Sequence, residues 1–209
     1  NLPSPARKVL RQGSGGSVEK PMLTMREASA SLYGACRLAR FDAAGMTFFN
    51  TSLEGFWRSF YAAVIIAPFY GLLLYLRYAA GEVAVQPTRF ASVEAIAYVM
   101  SWFAFPVVML TVVLFLDREK NYLRYLTAYN WAAVLQNAVY LPLAILMVTG
   151  VLPQQAANLF GLFVFAVILA YTWFITRVAL DVPAATAGGV VTLDLLFSIL
   201  INGFAEGLL

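Results

Sequence analysis

Charge is what this sequence has least of: Asp, Glu, Lys and Arg make up 12% of its 209 residues, about half the share of an average soluble domain. Histidine is absent altogether. That removes His-ligated haem, His-based zinc sites and hydroxyl nucleophiles activated by imidazole. Cysteine occurs once, at Cys36, so no intrachain disulfide can form and a thiolate metal cluster lacks its ligands. No glycine-rich phosphate loop ends in GKS or GKT, and no cluster of acidic residues offers a cage for a divalent cation. The expectation is a protein that is not an enzyme, holds no metal or other cofactor and does not bind nucleic acid.

What fills the sequence instead is hydrocarbon: 61% of the residues are hydrophobic and 15% aromatic. Lipid, rather than a packed aqueous core, accommodates such a chain, which predicts an all-α integral membrane bundle. The stretch from Asp117 to Pro142 orders the rest. It opens with alternating charges and passes without a turn signal into an apolar helix carrying Asn130, Gln136 and Asn137. One membrane surface therefore lies at Arg118 to Arg124. Counting outward gives five spans: about Gly55 to Leu76, Ala95 to Leu116, Tyr122 to Val148, Ala157 to Thr176, and a last one from between Pro183 and Gly188 to about Ala205. Trp57 and Arg58 at the entry of the first span, and Tyr75, Arg77 and Tyr78 at its exit, are interface anchors. Pro68, Pro106 and Pro142 interrupt the first three spans and read as shape-setting kinks.

Residues 1–24 contain the run GSGGS, which is what a flexible linker looks like; with Asn1 in place of Met, part of this segment reads as an appended peptide. Residues 25–50 form the second region and 51–209 the membrane domain. From Met25 to Ala44 the pattern is helical, with Ala28, Leu32, Ala35, Cys36 and Ala39 on one face and Arg26, Arg37 and Arg40 together on another. Such a helix either lies on an anionic membrane surface through its arginines or packs its small residues on the bundle. Thr51 and Glu54 have capping-box spacing and mark the start of the next helix.

Basic residues set the orientation. Twelve fall at the N-terminal side of the five-span layout and two, Arg77 and Arg89, at the other. The N-terminus should be cytoplasmic and the C-terminus outside. The excess of Arg over Lys, with abundant Ala, suggests a bacterial protein, hence the inner membrane. Arg177 and Asp181, four apart, are expected to pair, and the Gly203/Gly207 spacing reads as a chance match to a dimer motif.

Two polar rows lie inside the hydrocarbon. Thr127, Asn130 and Asn137 share a stripe of the third span, and Asp194, Ser198 and Asn202 follow one another at intervals of four in the fifth. Matched depths predict that these spans are neighbours, with Asn130 facing Asp194 and Asn137 facing Asn202. The preferred reading is interhelical glue; the alternative is a proton or solute site at Asp194.

The polar N-terminal arm, five tightly connected spans and the YLRYLTAY entry to the third together resemble the Yip (Ypt-interacting protein) family over roughly residues 50–209. The family's DLYGP signature and Gly-Tyr motif are missing, so no functional residue carries over. The resemblance implies a membrane-organising or trafficking role without catalysis. The expected function is a scaffold or accessory subunit that meets the bilayer and other membrane proteins or itself; the alternative is a small-solute or proton-coupled transporter using Asp194.

Overall fold

The computed structural model describes residues 23–209, all of whose regular structure is helical. Helix α1 (Met25–Ala39) starts where Thr24 accepts a hydrogen bond from the Glu27 amide at 3.2 Å, satisfying one of the donors a helix N-terminus leaves free. It ends at Arg40, and Phe41 takes φ 59° to turn the chain. Asp42 caps the 3₁₀ segment Ala43–Phe48, which folds straight back along α1. The crossing needs glycine on both sides: a Cβ on Gly34 would stand 2.8 Å from the Gly45 carbonyl oxygen, and one on Gly45 2.6 Å from that of Gly34.

The first span, Leu53–Ala79, consists of α2 (Leu53–Ser59) and α3 (Tyr61–Ala79), joined at Phe60. Its cap is Ser52, whose hydroxyl accepts from the Gly55 amide at 3.1 Å, and not Thr51. Glu54 turns to Arg58 instead of reaching back to the cap. There follow α4 (Pro87–Phe115), α5 (Tyr122–Val148, led in by a 3₁₀ turn, Glu119–Asn121), α6 (Gln154–Leu180) and α7 (Ala184–Gly207). With the first span, these make five helices long and apolar enough to cross a membrane, 24 to 30 residues each. The protein is an integral membrane bundle of five spans with an amphipathic helix before them. Pro68, Pro106 and Pro142 lie inside α3, α4 and α5.

Helix α5 is the axis: α6 and α3 run along it, and α1 and α2 cross its first half. The main core gathers there around Trp131, Tyr125, Leu126, Met109, Ile175 and Leu38. Helix α7 packs on α6 and α4. A second, small cluster of Ile66, Leu73, Leu141 and Ala144 joins α3 to α5 farther along.

Three sequence expectations are corrected. The third and fifth spans, α5 and α7, meet through Tyr129 and Asp194 but do not pack closely along their length; the close neighbour of each is α6, tied to both by short links. Depth along a helix says nothing about its angular position in a bundle. Arg177 and Asp181 form no ion pair, because Asp181 leaves the helix in the left-handed conformation (φ 55°, ψ 57°) and Arg177 lies over the Trp173 ring, 5.6 Å from its centroid. The buried face of α1 is Ser31, Gly34, Ala35 and Leu38, while Cys36 and Ala39 are exposed. Its position is set by the close glycine crossing and by Tyr171 of α6, whose hydroxyl donates to the Ala35 carbonyl at 2.8 Å. Of the two expected placements of this helix, the bundle-docked one is seen, with Arg26 and Arg40 exposed and Arg37 bonded to Asp42 at 2.7 Å.

Candidate functional site

Large side chains hold α4 and α7 off α3 and α5 through the middle of the bundle. Tyr98 of α4 stacks on Tyr70 of α3 (centroids 5.1 Å apart) and sends its hydroxyl to the Ala63 carbonyl at 2.7 Å. Phe105 of α4 lies tilted on Tyr129 of α5, 5.0 Å away. Rings of this size cannot interdigitate as closely as Ala or Gly, so the space between these pairs is not filled. It forms a half-open cleft of about 320 Å³, bounded by α3, α4, α5 and α7.

The cleft is polar. Asp194 stands at one side, with Oδ1 accepting from the Tyr129 hydroxyl at 2.8 Å. Ser198 and Asn202 continue the same face of α7 by one and two turns, and Asn137 and Gln136 line the α5 side. Asn137 donates to Ala133 of its own helix at 2.9 Å, and Gln136 donates across to Thr172 of α6 at 2.9 Å. Among the described residues no Lys or Arg lines the space.

Of the five residues read as an intramembrane seam, four (Asn137, Asp194, Ser198 and Asn202) therefore meet at one cavity. Asn130 does not. It is buried on the other side of α5 and donates to the Ser59 hydroxyl at 2.8 Å, so the expected Asn130–Asp194 pair is replaced by Asn130–Ser59 and Tyr129–Asp194. The next-door position explains the exchange: one residue is 100° of helix, and Tyr129 rather than Asn130 points at α7. No Asn137–Asn202 bond forms either, since the Asn137 amide turns back on its own turn of helix. Thr127, also on that stripe, is buried with its hydroxyl unpartnered among the described residues.

Sequence reasoning passed over two groups. Tyr129 lies within the quoted YLRYLTAY entry and is the only side chain bonded to Asp194 among the described residues. Glu94 falls just short of the second span as read from the sequence, about Ala95 to Leu116, yet α4 begins at Pro87 and carries Glu94 inside, 6% exposed. It accepts from Tyr70 at 2.9 Å and from Arg77 at 3.5 Å, and Arg77 also reaches Glu82 at 3.3 Å. The signal was Pro87 itself, a residue favoured at the first position of a helix.

Among the described residues no group of three or more His, Cys, Asp or Glu converges to hold a metal ion. No family model, curated protein or solved structure matches the chain.

Proposed function

We propose that this membrane protein is a small-solute or proton-coupled transporter that takes its cargo in the cleft beside Asp194. One observation carries the reading. In a bundle held together by polar glue, the seam residues would pair across helices, as Asn130 does with Ser59; Asn137, Ser198 and Asn202 instead line a cavity with no side-chain partner on another helix among the described residues. Polar groups at that depth are costly unless water or a solute meets them. The test is flux. Wild-type protein in sealed vesicles should pass protons or a coupled solute down an imposed pH gradient, and Asp194→Asn should abolish that while leaving the protein folded.

The second reading, a scaffold or accessory subunit as the Yip-like layout implies, is favoured by the arm. Helix α1 is fixed on the bundle with Arg26 and Arg40 exposed, a rigid basic face for a partner or an anionic surface. Under it Asp194→Asn changes neither abundance nor what copurifies in mild detergent, and no flux is seen in wild type. In both readings the N-terminus lies in the cytoplasm of a bacterial cell, on the support of twelve basic residues against two. In a Cys36-free background, cysteines placed at Asn121 and Gln154 should differ in reaction with an impermeant thiol reagent, only the second being labelled in intact cells.

A further inference from the structure

Resting on the transport reading, we infer that the cleft's ligand is a small organic monocation, an alkylammonium of about the size of choline, held by Asp194 and an aromatic wall. Charge comes first. Among the described residues Asp194 is the only ionic side chain lining the space, and the remaining polar groups are neutral hydroxyls and amides. The nearby Glu94 does not share this role, because it does not line the cleft and its carboxylate is matched by Arg77 and Tyr70 of α3. A carboxylate facing a cavity at this depth, with one phenol as its partner, attracts a cation strongly, since little solvent screens it. It equally rejects anions.

The walls decide between kinds of cation. Tyr70, Tyr98 and Trp102 form a continuous aromatic row, with Tyr98 and Trp102 edge to face at 6.2 Å, and Phe105 with Tyr129 forms a second panel next to the carboxylate. Aromatic faces favour a diffuse, weakly hydrated charge such as an alkylammonium, which keeps both an electrostatic and an apolar contact with a ring. A small inorganic cation asks instead for several oxygens at close range, and among the described residues the one side chain bonded to this carboxylate is a tyrosine. The volume, about 320 Å³, lies at the lower end of ligand pockets, roughly 300–1,000 Å³, and suits a solute of few heavy atoms.

The experiment pairs choline with 3,3-dimethylbutan-1-ol, its uncharged counterpart of the same shape, each titrated calorimetrically into the purified full chain in mild detergent. Choline should bind at least about tenfold more tightly than the alcohol, and Asp194→Asn should remove about that same factor. Trp102→Leu should weaken choline and leave the alcohol nearly unchanged; thermal unfolding of each variant confirms that it is folded. Equal affinity for the two compounds, wild-type choline affinity in Asp194→Asn, no choline binding up to tens of millimolar, or saturable binding of sodium alone would each overturn the inference. Its failure is separable from that of the transport reading: Asp194-dependent proton flux without choline binding sinks only the cation, and choline binding without any flux sinks only transport.

Discussion

The two ends of this bundle are built on opposite terms. Where α1, the 3₁₀ segment and α2 meet α5 and α6, backbones touch through glycine, polar side chains such as Asn130 and Ser59 pair across helices, and the largest buried residues collect. Between α4, α7 and the rest, rings and amides keep helices apart and leave a cleft. Hydrocarbon content does not distinguish the regions, since every span is apolar enough for a membrane. Without a strong hydrophobic drive between helices in lipid, residue size and polar pairing decide how closely they approach. Close packing marks the part that holds shape and loose polar packing the part that can hold something else.

The sharpest way to break this contrast is a single methyl group on each side. A Cβ at Gly55 would sit 2.0 Å from the Asn50 carbonyl oxygen, whereas one at Gly203 in α7 meets nothing within 4 Å. Gly55→Ala should therefore cost about 3 kcal/mol, the upper range for overpacking, and Gly203→Ala should stabilise by about 0.5–1 kcal/mol through the lost backbone freedom of glycine. Thermal unfolding in mild detergent reads both. Equal shifts would mean the two ends are not packed differently.

Polar deletions should divide in the same way with smaller amplitude. Ser59→Ala strands the buried Asn130 amide and should cost about 2 kcal/mol. Ser198→Ala, at an exposed cleft position, should stay within about 0.5 kcal/mol of wild type. Next in size is Glu27, which joins the arm to the first span through Arg58 at 2.7 Å and Asn50 at 3.2 Å. With both charged side chains only partly exposed, Glu27→Gln should cost about 1 kcal/mol, and added salt should narrow the gap.

The smallest effect is at the turn after α1. The Arg37 guanidinium, and then the Ala44 amide, hold the Asp42 carboxyl below its ordinary value. A lowered carboxylate pKa contributes stability in full above the ordinary carboxylate range, about pH 4, and loses it as pH falls through the folded value. Acidification should thus release the Arg37 side chain, visible in its Nε–H resonance, only below the ordinary carboxylate range. Asp42→Asn should show the released resonance already at neutral pH.

Much of the layout was legible in the sequence because hydropathy and charge record what faces lipid and what faces water. Five spans and an arm follow from that alone, and α5 begins at Tyr122, within the charged stretch Arg118 to Arg124 that marks the membrane surface. Glu94 was hidden for the same reason: a carboxylate dims the apolar signal of its window, and hydropathy starts the second span near Ala95, about two turns after α4 begins. The seam was half legible. Spacing placed Asp194, Ser198 and Asn202 on one face correctly, since that is a property of one helix. Which face of α5 they meet depends on how two helices are rotated against each other, and Asn130 was chosen where Tyr129 stands. The arm shows the same boundary: its helical period was readable, but the glycine crossing that selects its buried face was not.

The links at the α1 end bear on how the cleft can change width. Arg118 donates to the Asp181 carbonyl at 3.0 Å and Asn121 to that of Leu180 at 2.8 Å, so the short turn before α7 and the turn after α4 are fastened to the start of α5. At the far end α4 and α7 are joined to each other, Arg89 donating to the Leu208 carbonyl at 2.6 Å. Like the arms of tweezers, they are held at one end and coupled at the other. A swing of the pair's far ends away from α3 about the pinned turns would have to give up the bonds of Glu94 to Tyr70 and Arg77. Labels at Gly71 and Gly203 would record it as a distance that grows with each opening, while labels at Glu119 and Asp181 stay put.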